Sequence, residues 1–169
     1  MKKVIVIGCP GSGKSTFSRA LHDATGLPLF HLDMMYWNAD RSIVDKPIFL
    51  QRLSNTMQND AWIIDGNYAS TLALRLQACD TVIFLDYPLD VCLRGIQARK
   101  GSARPDMPWV EQQDEEDADF IQFIKNYNSQ NRPTVLALLK QHSDKQIHIF
   151  KTRNEANDFL NHMLDKNQS

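Results

Sequence analysis

The amino-acid sequence predicts a single α/β domain, a five-stranded parallel sheet with helices on both faces. Two observations predict the class. Short apolar runs at 4–7, 29–32, 61–64, 81–85 and 147–150 alternate with helical patterns, and such alternation closes into a parallel sheet covered on both sides. The first run leads into a glycine-rich turn that opens a helix, and the second, third and fourth runs each end in an aspartate, Asp33, Asp65 and Asp86. At 169 residues the chain is expected to be one domain with a real core.

The turn carries the chemistry. Gly8-Cys9-Pro10-Gly11-Ser12-Gly13-Lys14-Ser15 fits G-x-x-x-x-G-K-[ST] without mismatch. A polyphosphate must lie against bare backbone N–H groups, so the loop needs few side chains and a tight curl. The positive end of the following helix then faces the phosphates. Gly8, Pro10, Gly11, Ser12, Gly13, Lys14, Ser15 and Thr16 are therefore the expected nucleotide-binding residues. Lys14 supplies a cation for the β and γ phosphates, and the Ser15 hydroxyl is placed to hold Mg²⁺. A glycine-rich turn that happens to precede a helix is the plainer alternative.

Taken in order, Lys14 to Ala24 places Phe17, Ala20, Leu21 and Ala24 on one helical face, and Gly26 suits its C-terminal cap. The second strand, Leu29 to Leu32, ends in Asp33. Ligands sit beyond the carboxyl ends of parallel strands, so Asp33 reads equally as an acceptor-side carboxylate and as a helix cap. Residues 38–47 are polar and irregular. Pro47 to Gln58 reads as a helix with Ile48, Leu50, Leu53 and Met57 apolar. The third strand ends in Asp65-Gly66-Asn67-Tyr68, a Walker-B arrangement in which Asp65 serves Mg²⁺. Asp86, after the strand Thr81 to Leu85, is a second candidate, and the sequence does not choose between them.

A helix follows to about Lys100. Arg94, Arg99 and Arg104 cluster there; Arg94 and Arg99 diverge by about 140° on a helix, so they converge only where it ends or bends. Guanidiniums in this place suit phosphates, although a basic surface run is usually just solvated. Residues 101–116 read as a loop that opens and closes. The acidic run Glu111, Asp114, Glu115, Glu116, Asp117 and Asp119 suits the first turn of the next helix. That helix, Ala118 to Asn131, breaks at Pro133; Arg132 sits at the break, with the site as the favoured direction. After the fifth strand, the segment Lys151-Thr152-Arg153-Asn154 is positioned to touch a nucleotide base. A helix over 155–164 and a polar tail close the chain. The five histidines show no ligand spacing and are expected to be structural.

Composition narrows the partners. The formal net charge is −1, which argues against direct nucleic-acid binding. Cys9, Cys79 and Cys92 form no C-x-x-C pair and are expected to be reduced thiols in a cytoplasmic protein. No apolar run approaches membrane-spanning length, and the short run after Lys2 and Lys3 is no signal peptide.

With these segments in hand, the chain resembles the adenylate-kinase-like nucleoside and nucleotide kinases of the P-loop NTPase class. More closely, it resembles the small bacterial proteins labelled DNA topology modulation protein (FlaR-like). The motifs are the phosphate loop, Leu27-Pro28-Leu29-Phe30-His31-Leu32-Asp33, Trp62-Ile63-Ile64-Asp65-Gly66-Asn67-Tyr68, Arg104-Pro105-Asp106-Met107 and Asn131-Arg132-Pro133. The resemblance implies a three-layer sheet of order 2-3-1-4-5, an acceptor-binding insertion at about 34–60 and a lid at about 100–116. It implies ATP and Mg²⁺, with Lys14 and the lid arginines Arg94, Arg99 and Arg104 acting on the moving phosphoryl group. The acceptor is then expected to be a nucleoside, a nucleotide or a hydroxyl-bearing metabolite. Asp33 is the candidate for orienting or deprotonating a hydroxyl. Asn67-Tyr68-Ala69 stands where adenylate kinases carry Phe-Pro-Arg; Arg75 is the candidate replacement for that arginine. A nucleotide-binding regulatory protein linked to DNA topology is the alternative reading.

Overall fold

The structure, a computed structural model, describes residues 1–113 and 117–168. Five strands, β1 (Lys3–Gly8), β2 (Leu29–His31), β3 (Trp62–Asp65), β4 (Thr81–Leu85) and β5 (Gln146–Phe150), form one all-parallel sheet in the order β2-β3-β1-β4-β5. The helices are α1 (Lys14–Thr25), α2 (Leu32–Tyr36), α3 (Lys46–Met57), α4 (Ala69–Ala78), α5 (Leu89–Arg99), α6 (Ala118–Gln130), α7 (Arg132–Gln141) and α8 (Arg153–Gln168). The sheet order is the one that the resemblance implies.

Alternation along each strand builds two cores. Ile5, Ile7, Trp62, Ile64, Val82 and Phe84 point to one face, where α2, α3, α4 and α7 cover them with Leu32, Phe49, Leu53, Leu72, Leu76 and Leu139. Val4, Val6, Ile63, Ile83 and Leu85 point to the other, under Phe17, Leu21, Cys92, Ile96, Ile124 and Ala156 of α1, α5, α6 and α8. Both faces being buried, the inner strands read as unbroken apolar runs. Burial of these side chains, about 1.5–3 kcal/mol each for the larger ones, holds the sheet in place.

Several local expectations need correction. Strand β2 stops at His31, and Asp33 lies in the first turn of the short helix α2. On α3 Phe49, Leu53 and Thr56 are buried, at i, i+4 and i+7, and the expected Leu50 and Met57 pack against the core beside them, whereas Ile48 is exposed. Helix α7 begins at Arg132, with Pro133 in its first turn, where a missing N–H leaves no bond unmade. Asp117 caps α6 by accepting from the Phe120 N–H at 2.9 Å, as an acidic helix start should; Asp114, Glu115 and Glu116 lie outside the described residues. All three cysteines are free and buried. No helix among the described residues is long and apolar enough to cross a membrane.

Candidate active site

The phosphate loop links β1 to α1 and presses on α5. A Cβ on Gly11 would lie 2.0 Å from the Cys92 carbonyl oxygen, so only glycine fits there. Gly13 has φ 91°, and no atom lies within 4 Å of where its Cβ would be, which leaves bare backbone facing open space. The ammonium of Lys14 donates to the carbonyls of Gly8 and Cys9 at 3.0 and 3.2 Å, across the mouth of the loop. Burial lowers its pKa, while Asp33 and Asp65 pull the other way. The loop N–H groups, the helix start, Lys14 and the Ser15 hydroxyl together fit a magnesium-bound polyphosphate. Pro10 lines the cavity beside Lys14, and Thr16 stands exposed on the first turn of α1.

The three strand-end carboxylates have different surroundings. Asp65 is buried, and His31 Nδ1 lies 2.8 Å from its Oδ2. Burial disfavours the charged imidazole, but the bond to Asp65 and its charge outweigh this and hold the His31 pKa above its ordinary value. His31 thus holds the Asp65 carboxylate in place. Asp33 accepts a hydrogen bond from the Tyr68 hydroxyl. Its burial pushes the carboxyl pKa up, with Tyr68 and Lys14 opposing. Asp86 accepts both N–H groups of the Arg132 fork at 2.8 Å each and is paired with Lys151 as well. These partners outweigh burial and lower its pKa.

Tyr68 is held on Asp33 by a strained turn. Its φ is 27°, in a region that side chains rarely adopt. Fully buried Arg75 fixes the turn, donating to the carbonyls of Gly66, Asn67 and Tyr68 at 3.0, 2.5 and 3.2 Å and to the Thr71 hydroxyl at 3.2 Å. Burial lowers the Arg75 pKa to about 10. This corrects its reading as an acceptor-phosphate anchor: all three nitrogens are turned inward. Asn67 Oδ1 in turn accepts from the Gly8 N–H at 3.2 Å, joining this turn to the phosphate loop.

The three expected lid arginines do not converge. Arg94 is mostly exposed, pairs with Asp90 at 3.0 Å and lines a different cavity from Arg99; helical divergence keeps the two apart. Arg99 lines the cavity beside Lys14 and is bound by both oxygens of Glu111 at 3.1 and 2.6 Å. Arg104 lies 3.4 Å from Asp106 and 3.7 Å from Glu111. Arg132 turns to Asp86, which corrects the expectation that its guanidinium faces a nucleotide directly.

Sequence reasoning missed Asp106. This buried carboxylate accepts a hydrogen bond from the Ser15 hydroxyl at 2.6 Å, reaching it from the 101–110 segment. Burial raises its pKa, but Ser15 and Arg104 outweigh this and lower it. The signal was present, since Asp106 lies within Arg104-Pro105-Asp106-Met107. A second contact joins the segments around residues 41 and 110: Arg41 stacks on Trp109, 4.6 Å from the ring centroid, and donates to the Val110 carbonyl at 3.0 Å.

Two cavities flank the loop. One of about 1060 Å³ is bounded by Lys14, Asp33, Tyr68, Arg99 and Trp109, among others. The other, about 450 Å³, is bounded by Tyr87, Arg94, Gly95, Lys151, Thr152 and Arg153. Gly95 packs directly on Gly11, so this second cavity, which Arg153 lines, adjoins the glycine-rich loop across α5.

Solved structures share this architecture. The shikimate kinase from Acinetobacter baumannii, in complex with shikimate, is 17% identical, with a TM-score of 0.61 over 98% of this chain and 94% of that one. The shikimate kinase from Bacteroides thetaiotaomicron is 17% identical, with a TM-score of 0.59 over 98% of both chains. That from Aquifex aeolicus is 18% identical, with a TM-score of 0.57 over 98% and 95%. No protein-family profile and no curated protein matches the chain. The fold, a five-stranded parallel sheet of order 2-3-1-4-5 with helices on both faces, is shared with these shikimate kinase structures.

Proposed function

We propose that the protein is an ATP-dependent phosphotransferase acting on a small hydroxyl-bearing acceptor. The observation that carries this is one carboxylate and one ammonium at a shared cavity: Asp33, oriented by Tyr68, faces the space that Lys14 borders. A pure nucleotide switch has no need of a buried carboxylate there. ATP would lie with its phosphates on residues 8–16 and its base in the smaller cavity, beside Arg153. Mg²⁺ would be held by Ser15, with Asp65 and Asp106 as the nearby carboxylates; it would neutralise charge on the phosphates. The acceptor oxygen bonds to the γ-phosphorus, its proton passes to Asp33, and the bond to the β–γ bridging oxygen breaks with its electron pair leaving on ADP. Lys14 and Arg99 hold the charge that develops on the transferring group.

Coupled ADP-release assays over nucleosides, nucleotides, shikimate and small alcohols test this reading. One acceptor should stimulate ADP release and be recovered phosphorylated. Lys14→Ala should abolish ATP binding in titration calorimetry while leaving the thermal melt intact. ATP turnover indifferent to every acceptor, or full activity of the lysine variant, would refute the assignment. Fold similarity to the shikimate kinases supports the reaction type and says nothing of the acceptor.

A further inference from the structure

The smaller cavity has two walls, each beginning where a strand ends. Side chains from the stretch 87–98, leading into and along α5, form one wall, and residues 151–154, leaving β5 and opening α8, form the other. The first wall is seated by Gly95, where a Cβ would come 2.0 Å from the Gly11 carbonyl oxygen. The second is a short connection, and such connections move unless something ties them down.

Asp86 is the first tie. It stands one position before Tyr87 and, in the sheet, beside the end of β5: Leu85 is in register with Phe150, and the Asp86 N–H donates to the Phe150 carbonyl at 2.9 Å. Its carboxylate holds the Lys151 ammonium, so the first residue of the second wall is bound to the residue that precedes the first wall. The Arg132 fork takes both carboxylate oxygens at 2.8 Å each, which fixes the plane of the group. Asp86 is buried, and a buried carboxylate stays charged only when it is paired in this way.

Glu155 is the second tie. It forms a complete capping box with Thr152: the Glu155 N–H donates to the Thr152 hydroxyl at 3.2 Å, and Glu155 Oε2 accepts from the Thr152 N–H at 3.3 Å. The same oxygen accepts from the Lys151 N–H at 2.6 Å, one residue beyond what a cap requires. Neither Asp86 nor Glu155 lines the cavity; both act on the chain that does.

From this arrangement we infer that Asp86 and Glu155 are positioning residues for the nucleoside half of the nucleotide: they preset the spacing between the two cavity walls, while the glycine-rich loop serves the phosphates. The inference rests on the reading that the base lies in this cavity. A cavity of preset width takes a flat ring without first having to order its own wall. Affinity for base and sugar therefore depends on two carboxylates that touch neither.

Titration calorimetry of the full chain with Mg·ADP and with Mg·pyrophosphate tests this, because the two ligands share the phosphates and differ in the nucleoside. The parent should bind Mg·ADP more tightly. Glu155→Ala should weaken Mg·ADP by about twofold to thirtyfold, the span of losing a helix cap. Asp86→Asn should weaken it by about tenfold to a hundredfold, as for lost hydrogen bonds to a charged group. Neither variant should weaken Mg·pyrophosphate, so the gap between the ligands closes. Asp86→Asn leaves two cations unpaired, so a melt of each variant reports its folding, and the exposed Glu155 carries the test if the Asp86 variant does not fold. Loss of both ligands together would mean general support of the fold, and unchanged Mg·ADP affinity would mean no positioning; either overturns the inference. A parent that binds both ligands alike overturns it too, and leaves the glycine-rich loop as read. A parent that binds neither refutes the nucleotide reading itself, and the inference falls with it.

Discussion

Replacing Arg75 by methionine separates two roles that this residue can have in a kinase-like chain. If it is the internal clamp, the cost is set by what it leaves behind. The carbonyls of Gly66, Asn67 and Tyr68 lose their donor, as does the Thr71 hydroxyl, in a place where Arg75 itself is wholly buried. At about 1–3 kcal/mol for each stranded polar group, partly relieved by water, the sum is roughly 3–5 kcal/mol. For a chain of this size about 2–4 °C accompanies each kcal/mol, so the melting temperature should fall by on the order of 10 °C. Acceptor turnover should fall as well, because the strained Tyr68 turn relaxes and its hydroxyl leaves Asp33. ATP affinity, measured below the new melting point, should change little, since the guanidinium touches no phosphate-loop atom. A melt within 3 °C of the parent, combined with a large rise in acceptor KM, would mean that Arg75 grips the acceptor and that the clamp argument is wrong.

Asp33→Asn should lower kcat roughly 10²–10⁴-fold. In the parent, the acid limb of kcat/KM should lie above the ordinary carboxylate range, because burial raises this pKa. The same sign makes ionised Asp33 a stability cost at neutral pH, so the asparagine variant should melt higher than the parent there; an unshifted acid limb would remove Asp33 from proton transfer. Arg99→Ala should lower kcat more than it raises the KM for ATP, and unchanged kcat would make the Arg99–Glu111 pair purely a lid strut. Asp106→Asn should weaken Mg²⁺ dependence of nucleotide binding by about 10–100-fold, as loss of an outer partner of a metal-binding serine does; a Mg²⁺ titration identical to the parent's would leave Asp106 as a lid latch alone.

What could be read in the sequence was whatever depends on short spacing. The loop from Gly8 to Ser15 is a local device, and the apolar runs report a sheet buried on both faces; both were legible residue by residue. The helix over 46–57 was legible within a residue at each end, with Leu50, Leu53 and Met57 toward the core as read, but Ile48 is exposed while the less apolar Thr56 is buried. The site's connections were not legible, because they join distant positions. Ser15 and Asp106 are 91 residues apart, and Arg132 reaches Asp86 across 46. Arg75 shows the same limit from the other side: in the sequence it is a candidate for gripping an acceptor phosphate, and only the tertiary turn of Gly66 to Tyr68 makes it internal.

The three aspartates at strand ends look alike in the sequence and part company in the fold, because sheet order rather than chain order decides what each one faces. Strand β3 is bonded to β1, with Val6 in register with Asp65, so Asp65 lies beside the strand that feeds the phosphate loop. Strand β2 lies one place further out, with His31 in register with Asp65, so the chain leaving it sets the imidazole against Asp65 and carries Asp33 onward to the cavity wall. Strand β4 flanks β1 on the other side and pairs with β5. The Asp86 N–H accordingly donates to the Phe150 carbonyl, and its carboxylate is committed to two cations, Arg132 and Lys151. A carboxylate neutralised twice has little left to offer a magnesium ion, whereas Asp65 meets one imidazole and contributes to the field at Lys14. Which neighbours the sheet supplies therefore separates the two: Asp86 is tied to two cations beside β5, while Asp65 stays beside the strand that feeds the glycine-rich loop and Asp33 lines the larger cavity.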